Sequence, residues 1–485
     1  MSQWTRRRFL QTAAATAVGM TFGCRTTAAK RGNIRGANED IRMSVIGIRG
    51  QGGGHINEWR NLPGVRLVAI CDVDSQVLAR RARELENNNI QVRQYTDVRR
   101  LLEDPEIDAV SIATPNHWHA LATIWACQAG KDVYCEKPLT HNVWEGRKVM
   151  DAAEKYGRIV QCGMQRRSDE GWMEAIEWVN QGNIGRVLYS RGLCYKRRES
   201  IGKVSGPQTP PASVDYDLWC GPREVTPLMR RELHYDWHWV WPTGNGDIGN
   251  QGVHQVDVAA WAINEQTLPT SVFSVGGRFG YDDDGETPNT QFIFLDYKPV
   301  PIIFEVCGLP LRPGVDTMPV YKNGRIANVI ECEGGYLTEG WAYDNDGRRI
   351  RQFPVRSGGP IYANFIQAVR SRRSEDLVAP PLIGHIAAAC CHLGNISHRV
   401  GEEASPEEIA DALSGNDVML ETFERFSEHL AVNGVDLRTD KAVLGPQLQF
   451  DPRREQFVGS GPVVRRANEL LTEDYRREFR IPNRV

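Results

Sequence analysis

Two ionisable side chains, Lys137 and His254, stand in sequence contexts suited to moving a proton. Lys137 follows a short apolar run in the segment CEKP, residues 135–138. A lysine buried at a strand end can hold or release a proton because burial lowers its pKa. His254 has an ordinary pKa of about 6.5, which suits exchange of a proton with a hydroxyl group. A lysine beside a turn proline is by itself often solvent-facing, so this interpretation depends on the motifs around it.

Two polar residues precede His254 at helical spacing, in the segment GNGDIGNQGVHQVD (residues 244–257). The positions of Asp247, Asn250 and His254 predict that all three share one face of a helix. With Lys137 they are the candidate catalytic residues. Asn250 cannot exchange a proton at neutral pH. Asp247 either caps the helix or supplies the site with a carboxylate that Asn250 lacks, and capping is the favoured interpretation.

The segment LHYDWHWVW, residues 233–241, is unusually aromatic. Flat aromatic faces beside hydrogen-bonding groups suit a sugar, whose C–H faces pack on rings while its hydroxyls seek polar partners. A strand that buries its tryptophans against helices is an equally good interpretation. The predicted substrate contacts are Lys137, Arg198, Trp237, His238, Asn250 and His254, although Arg198 stands in a charged segment that also fits an ordinary surface loop.

A glycine-rich turn between two apolar runs, within residues 43–74, predicts a dinucleotide site. The order is strand, glycine turn, helix, strand. Glycines let the backbone approach a pyrophosphate, and the start of the helix offers unpaired N–H groups and a positive dipole end. Asp72 lies 20 residues beyond Gly52, where an acid can accept hydrogen bonds from the adenosine ribose.

The same turn predicts NAD rather than NADP. Asp72 would repel a 2′-phosphate, and no arginine follows it directly. Arg49 stands where the middle glycine of the fingerprint belongs, so Gly50 is expected to provide the close approach. Because Arg49 could reach a phosphate, NADP stays the less favoured alternative.

Strand-like runs near 44–48, 65–71, 107–113, 131–135 and 158–162 alternate with helical patterns. This alternation predicts a parallel sheet covered on both faces, which binds ligands at the carboxyl ends of its strands. Two of those ends carry polar signatures, ATPNHWH (residues 113–119) and CEKPLTHN (residues 135–142). The predicted cofactor contacts are Gly47, Arg49, Gly50, Gln51, Gly52, Asp72, Thr114, Pro115, Asn116, His119, Glu136, Lys137 and Gln165.

After residue 163 the pattern changes to a helix near 170–181 and strands near 186–195, 270–279, 290–297, 300–307 and 348–355. Strands in succession predict a large, mainly antiparallel sheet. Two helices within 359–401 should return to the domain junction, with His385 as a site contact. Residues 405–485 carry no motif and form an extension, of which 446–485 is expected to lie on the body or on a second subunit.

The motifs GIRGQG, CDVD, ATPNHWH, EKP and GNQGVHQVD together resemble the Gfo/Idh/MocA oxidoreductases, the group that includes glucose-fructose oxidoreductase and inositol dehydrogenase, over residues 41–400. The resemblance implies a Rossmann dinucleotide-binding domain (41–163), an α+β substrate domain with a large open sheet (164–404), pairing of subunits through that sheet, and Lys137 at the nicotinamide and the substrate hydroxyl. The family usually carries an aspartate four residues before the histidine. Here that position is Asn250, which leaves Lys137 and His254 as the proton-handling pair.

Composition narrows the classes of partner. A net charge of −3 without long like-charged blocks gives no reason to expect a nucleic acid. Eleven cysteines without a CxxC pair predict buried thiols rather than disulfides. The histidines at 117 and 119, and those at 234 and 238 beside Asp236, lack the spacing of a ligand cluster, so no metal is expected.

The first 40 residues read as an export signal and a linker. Arg6 and Arg7, then Phe9 and Leu10, then an alanine-rich run resemble a twin-arginine signal, and the run is too short to span a bilayer. We therefore expect a periplasmic protein. A lipid anchor at Cys24 is the minority alternative.

These observations predict an exported NAD(P)-dependent oxidoreductase that acts on a secondary alcohol of a sugar, polyol or sugar derivative. Two alternatives stay open. Some relatives hydrolyse glycosides by oxidation, elimination and reduction, although the YPTHG-type segment of known glycosidase members is not seen here. The other alternative is a non-catalytic binding protein on the same fold, for which Asn250 is the best argument.

Overall fold

Two β-sheets, one parallel and one mostly antiparallel, organise the chain. The computed structural model describes residues 40–356, 359–483 and 485. The predicted export signal, including Cys24, lies outside the described residues.

The first sheet has six parallel strands in the order β3-β2-β1-β4-β5-β6. The strands are β1 (Ile41–Ile46), β2 (Val65–Cys71), β3 (Arg93–Tyr95), β4 (Ala109–Ile112), β5 (Asp132–Cys135) and β6 (Val160–Cys162). The helices between them are α1 (Gly50–Asn61), α2 (Ser75–Glu86), α3 (Val98–Leu102), α4 (His119–Gln128) and α5 (Val143–Tyr156). The strand order reverses between β1 and β4, and such a switch point opens a crevice at the carboxyl ends of the strands.

Local sequence fixes where these helices begin. The side chain of Asp74 accepts hydrogen bonds from the amides of Gln76 and Val77 and starts α2. Asn142 and Glu145 form a capping box that starts α5. Both caps follow strand ends, so the strand-to-helix turns at the crevice are short and fixed.

The second sheet has twelve strands, antiparallel except for the β7–β10 pair. These are β7 (Val187–Tyr195), β8 (Ser271–Gly277), β9 (Thr290–Leu295), β10 (Ile302–Cys307), β11 (Ile326–Cys332), β12 (Gly335–Thr338), β13 (Trp341–Asp344), β14 (Arg349–Gln352), β15 (Glu402–Ala404), β16 (Ala442–Leu444), β17 (Leu448–Asp451) and β18 (Gln456–Phe457). The helices are α6 (Glu170–Asn180), α7 (Tyr216–Cys220), α8 (Gly246–Asn250), α9 (Gly252–Ala262), α10 (Ile361–Ser371), α11 (Pro381–Arg399), α12 (Pro406–Ala412), α13 (Asp417–Val432) and α14 (Pro462–Glu469).

The face of this sheet that the family resemblance implies to be open is covered within the chain. Phe292 and Ile303 of the sheet pack in one cluster with Phe423 and Phe426 of α13. A further part of the face lies under the segment between β10 and β11, where Met318 packs on sheet residues. The expectation of an open sheet face is therefore wrong for this chain, because residues of the C-terminal extension and of this segment pack on that face. Subunit pairing itself stays a prediction.

Residues 446–485 lie on the body of their own chain. β17 pairs with β8. Further along, the Glu473 carboxylate bonds Arg223 of the second domain and His141 of the first. The Tyr475 hydroxyl donates to Glu145 at 2.9 Å. The arm therefore ties the two domains together directly behind the CEKPLTHN segment.

Neither disulfides nor membrane-spanning helices contribute to the described fold. The ten described cysteines are free and buried, which confirms the expectation of core thiols. Among the described helices none combines the length and the apolar character needed to cross a bilayer.

Candidate active site

A cavity of about 740 Å³ runs along the carboxyl ends of the parallel strands and into the second domain. Its walls include all of the predicted cofactor residues except Gly52, and all six predicted substrate residues. Asp247 is not among the lining residues. The structure therefore brings together, in one cavity, residues that lie up to about 200 positions apart in the sequence.

Close packing requires glycine at two positions of the glycine turn. Gly47 has φ +75°, and a Cβ there would lie 2.8 Å from backbone atoms of Ala113 and Thr114. A Cβ on Gly52 would lie 1.7 Å from the carbonyl oxygen of Gly47. Gly52 thus permits the close approach of helix to turn rather than contacting a ligand. A Cβ on Gly50 would meet nothing within 4 Å, and Gly50 faces the cavity.

The first turn of α1 offers free backbone donors to the cavity. Arg49, the residue before the helix, makes no side-chain cap. The first amide to bond back is that of Gly53, which donates to the Arg49 carbonyl at 2.7 Å. The earlier N–H groups and the positive helix end fit the pyrophosphate of a dinucleotide.

Asp72 ends β2 with its carboxylate held in a fixed orientation. One oxygen accepts from the amide of Ile48 and the other from the amide of Asp74, each at 3.0 Å. Burial raises the pKa of Asp72, and these two hydrogen bonds oppose the rise. A carboxylate oxygen can accept more than one hydrogen bond, so both ribose hydroxyls still find acceptors. The turn, the helix start and Asp72 together fit a bound dinucleotide.

Glu136, at the end of β5, is the centre of a buried hydrogen-bond network. Its Oε1 accepts from Gln51 at 3.2 Å and Gln165 at 3.0 Å, and it bonds the His55 ring at 3.1 Å. Burial alone would raise the pKa of Glu136, but the His55 hydrogen bond and nearby positive charges lower it to about 2. Glu136 is therefore ionised and orients amides that line the cofactor end of the cavity.

Lys137 reaches from the first domain to the second. Its Nζ donates to the backbone oxygen of Asn250 at 2.8 Å and to the side-chain oxygen at 3.2 Å. Burial lowers the pKa of Lys137, while the carboxylates of Glu136 and Asp247 act in the opposite direction. The ammonium group is thus desolvated and directed at the substrate side of the cavity.

His254 lies on α9 beside Lys137. Burial lowers the pKa of His254 to about 3, and the charges of Lys137 and Arg166 act in the same direction. The ring is therefore neutral at physiological pH. It can accept a hydrogen bond from a hydroxyl, but it holds a proton only weakly.

The prediction for Asp247 is wrong in two respects. The helix breaks at Gln251 into α8 and α9, so Asp247 does not share one continuous helical face with Asn250 and His254. Its side chain makes no helix cap either. Instead it binds Arg198, at 2.7 Å from Nε and 2.6 Å from Nη2. Both side chains are buried. Asp247 does not line the cavity itself but positions Arg198, which does.

The aromatic segment forms a 3₁₀ turn, Asp236–Trp239, instead of a strand. Trp237 lines the cavity and stacks on the ring of His238, with centroids 3.6 Å apart. Trp239 is buried beneath the guanidinium of Arg198. Core packing thus applies to Trp239, while Trp237 lies where it could contact a ligand and sugar stacking on it stays a prediction.

His238 and Tyr235 are joined by a hydrogen bond at the cavity mouth. The Nδ1 of His238 lies 2.5 Å from the carbonyl oxygen of Tyr235, so this nitrogen carries the proton and Nε2 is free to accept. Burial lowers the pKa of His238 to about 3. Tyr235 has φ +88° and ψ −52°, a strained conformation for a non-glycine residue. Its hydroxyl accepts from Arg198 at 2.7 Å.

Other histidines have structural partners. His119 lines the cavity, and its ring lies within hydrogen-bond distance of the carbonyls of Thr114 and Pro138, so it fixes two strand-end loops. His385 bonds Glu455 away from the cavity, so the predicted site contact is wrong. Within the described residues no group of three or more His, Cys, Asp or Glu side chains could hold a metal ion.

Sequence reasoning missed several lining residues. Lys196 and Gln251 line the substrate side, Tyr235 the mouth, and Trp219 the wall formed by α7. Lys196 stands two positions before Arg198, so strand alternation beyond β7 would have placed both on one side. Gln251 lies at a helix break, Tyr235 precedes a 3₁₀ turn and Trp219 lies in the short helix α7, and the sequence carries no comparable signal for these three.

The fold and the cavity define a class of protein: a two-domain dinucleotide-binding protein with a lysine at the end of the fifth parallel strand. Residues 41–164 match the Gfo/Idh/MocA model, described as "Oxidoreductase family, NAD-binding Rossmann fold". The first domain is therefore similar to the NAD-binding domain of this oxidoreductase family.

Similar curated proteins are inositol dehydrogenases. The chain is 34% identical to the inositol 2-dehydrogenase of Rubrobacter xylanophilus over 48% of its own length and 55% of that protein. It is 32% identical to the inositol 2-dehydrogenase of Salmonella typhimurium over 32% of its own length and 46% of that protein. The chain thus spans about half the length of these curated relatives.

Solved structures match over a larger part of the chain. The WlbA dehydrogenase of Bordetella pertussis, in complex with NADH and UDP-GlcNAcA, is 19% identical with a TM-score of 0.56, over 74% of this chain and 97% of that one. GenD2 from gentamicin A biosynthesis, in complex with NAD, is 18% identical with a TM-score of 0.52, over 74% and 96%. At this identity the likeness shows the shared fold.

Proposed function

We propose that this protein is an NAD-dependent oxidoreductase that transfers hydride between a nicotinamide and a secondary alcohol carbon of a sugar, polyol or sugar derivative. The observation that carries the proposal is the position of Lys137. Its Nζ shares one cavity with the glycine turn of the first domain and with His254 of the second. The names of the similar curated proteins, inositol 2-dehydrogenases, support a polyol-like substrate.

The residues divide between holding the cofactor and handling the substrate. The free amides at the start of α1 bind the pyrophosphate, and Asp72 binds the ribose. Bound NAD supplies the hydride acceptor. Trp237 offers an apolar face to the substrate ring, while the unprotonated Nε2 of His238 accepts a hydrogen bond from a hydroxyl.

Lys137 is the group that takes up and returns the hydroxyl proton. During oxidation of an alcohol the oxygen loses its proton as the carbon loses hydride. A ring with a pKa of about 3 holds a proton poorly, so His254 orients the hydroxyl by accepting its hydrogen bond. Lys137, whose pKa is lowered by burial, is therefore the group proposed to accept the proton. Asn250 holds Lys137 in position.

The proposal includes the cofactor's route. The twin-arginine pattern at Arg6 and Arg7 supports export of the folded protein, and Asp72 supports NAD over NADP. An enzyme that works where free NAD is scarce must carry its cofactor with it. The protein is therefore proposed to act in the periplasm with a retained nucleotide.

Product analysis tests this function. The full-length protein is incubated with NAD and a panel of polyols, sugars and glycosides, and the products are identified by mass spectrometry. We expect a product two hydrogens lighter than one alcohol, together with reduced nucleotide, and no such product from Lys137→Met. A cleaved glycoside with no net change in NAD would indicate the oxidation, elimination and reduction route instead. If no product of any class forms, not even one equivalent per bound nucleotide, the result would contradict an enzymatic role.

A further inference from the structure

The negative charges that line the cavity all belong to the first domain. They are Asp72, Asp97 and Glu136. Each already has hydrogen-bond donors: Asp72 binds two backbone amides, Asp97 binds the guanidinium of Arg99, and Glu136 binds His55 and two glutamine amides. Among its described residues, the second domain contributes cations to the lining and no carboxylate.

Two of these cations stand on one extended segment just beyond β7. The amide of Lys196 donates to the carbonyl of Cys307, and that of Arg198 to the carbonyl of Gly308, each at 3.0 Å. These two bonds hold the segment against the end of β10, and Lys196 and Arg198 both line the cavity. Arg197, between them, points away and pairs with Asp316.

The two cations differ in what already binds them. Arg198 is neutralised by Asp247 and also donates to Tyr235. For Lys196, within the described part of the chain, no carboxylate lies within salt-bridge distance of Nζ. Its charge reaches the neighbouring groups, because after burial it is one of the cations that lower the pKa of Lys137 and of His238. The substrate side thus holds an unneutralised ammonium group beside further positive charge.

We propose that the substrate is a sugar derivative that carries an anionic group, and that Lys196 is the specificity residue that binds this group. The inference rests on the proposed function and names its substrate class. A charged hydrogen bond to a carboxylate or phosphate is roughly twice as strong as a neutral one. With the sugar ring on Trp237 and the reacting hydroxyl at Lys137, the anion extends toward Lys196 and the remaining guanidinium N–H of Arg198.

Matched pairs of sugars test this proposal by binding, independently of turnover. Calorimetric titration of the NAD-loaded protein compares glucose with glucuronate, galactose with galacturonate, and glucose with glucose 6-phosphate. We expect at least one anionic sugar to bind more tightly than its neutral partner. Lys196→Met should weaken binding of that anionic sugar by roughly 10- to 100-fold and leave the affinity for the neutral sugar unchanged.

Arg197→Met is the matched control, since it removes a neighbouring positive charge that faces away from the cavity. It should change neither affinity. A uronate that shows the Lys196-dependent gain identifies a carboxylate, and a sugar phosphate that shows it identifies a phosphate; both outcomes support the proposal. Anions that bind no better than their neutral partners, or that bind equally to wild type and Lys196→Met, overturn it.

Turnover separates this inference from the proposed function. For an oxidised anionic substrate, Lys196→Met should raise KM with little change in kcat, because Lys196 contacts a group remote from the reacting carbon. Oxidation of neutral polyols only, unaffected by Lys196→Met, would leave the oxidoreductase function standing and refute the anionic substrate. Lys196-dependent binding of anions without any oxidation would refute the function alone.

Discussion

Lys137 and Asn250 join the two domains through two hydrogen bonds from one ammonium group, 2.8 Å to the backbone oxygen and 3.2 Å to the side-chain oxygen. The side-chain amide of Asn250 therefore occupies the position at which an aspartate would pair its carboxylate with Lys137. Because an amide is uncharged, it holds the ammonium without the rise in pKa that an ionised partner would cause. This relationship supports the proposed role of Lys137 as the main proton-transfer group of the site.

Replacing Lys137 by methionine should reduce kcat by ~10²–10⁴-fold, the usual contribution of a general acid–base group. The cofactor should stay bound, since the amides of α1 and Asp72 hold it. Asn250→Ala is the comparison variant and should lose less activity, because the backbone oxygen of residue 250 still accepts from Lys137. Near wild-type turnover in Lys137→Met would exclude the proposed mechanism.

The pH dependence of alcohol oxidation should follow Lys137 and not His254. Burial lowers the pKa of Lys137 below its ordinary value, so its neutral, proton-accepting form increases as pH rises toward that lowered pKa. The kcat/KM for oxidation should therefore rise with pH. His254, with a pKa of about 3, is already neutral and should add no inflection near pH 6.5. A limb near pH 6–7 that disappears in His254→Gln would contradict this assignment.

The first domain was largely predictable from sequence because its signals are local. Five apolar runs and one glycine turn lie within short windows, and the strands that these runs form are buried along most of their length. The ends of the strands shifted by a few residues, as with β1 at Ile41–Ile46 instead of 44–48. The short, exposed strand β3 was missed, since Arg93–Tyr95 carries no apolar run.

The second domain was less predictable because its contacts are long-range. Tyr336 of β12 and Tyr343 of β13, for example, are buried in one cluster with Met318 of the overlying segment. The spacing of Asp247 from His254 fitted a single helix, but α8 ends at Asn250 and the polar side chain turned to Arg198 instead. No local sequence pattern shows that the Asp247 carboxylate will bind a side chain 49 residues earlier in the chain.

Asp72 should decide the choice of cofactor. Asp72→Asn removes the charge that opposes a 2′-phosphate, while its amide oxygen still accepts one backbone hydrogen bond. We expect the preference for NAD over NADP to fall, measured as the ratio of dissociation constants. Asp72→Ser removes all carboxylate acceptors and should also weaken NAD itself. An unchanged preference for NAD over NADP in both variants, with Tm preserved, would contradict the role assigned to Asp72.

The arm at Glu473 should stabilise the domain junction. Glu473→Gln removes the charge that pairs with Arg223, which is 5% exposed. Breaking such a pair should lower the free energy of unfolding by about 3 kcal/mol, toward the lower end for a buried pair, because Glu473 keeps 23% exposure. Glu469→Gln is the control on the same arm, since its partner Arg466 is 62% exposed, and it should change stability little.

The stabilisation by Glu473 should also depend on pH. Burial alone would raise the pKa of Glu473, but the charges of Arg223 and His141 lower it well below its ordinary value. A lowered pKa means that the stabilisation is complete above the unfolded pKa, about 4.3, and is lost as pH falls toward the folded pKa. The difference between wild type and Glu473→Gln should therefore be constant from pH 7 to 5 and shrink toward pH 3. A constant difference down to pH 3 would show that the effect is steric.

Retention of the cofactor joins the predicted export signal to the chemistry. Twin-arginine signals carry folded proteins, and free NAD is scarce outside the cytoplasm, so the nucleotide should be bound before export and held tightly. Hydride from one substrate then cannot leave on the nucleotide, and a second substrate, an external acceptor or the same sugar must take it back. We therefore expect protein purified without added NAD to show nucleotide absorbance, and substrate to change the redox state of that bound nucleotide. Nucleotide-free protein after repeated gel filtration, fully restored by micromolar NAD, would show that the cofactor exchanges and that export and mechanism are not coupled in this way.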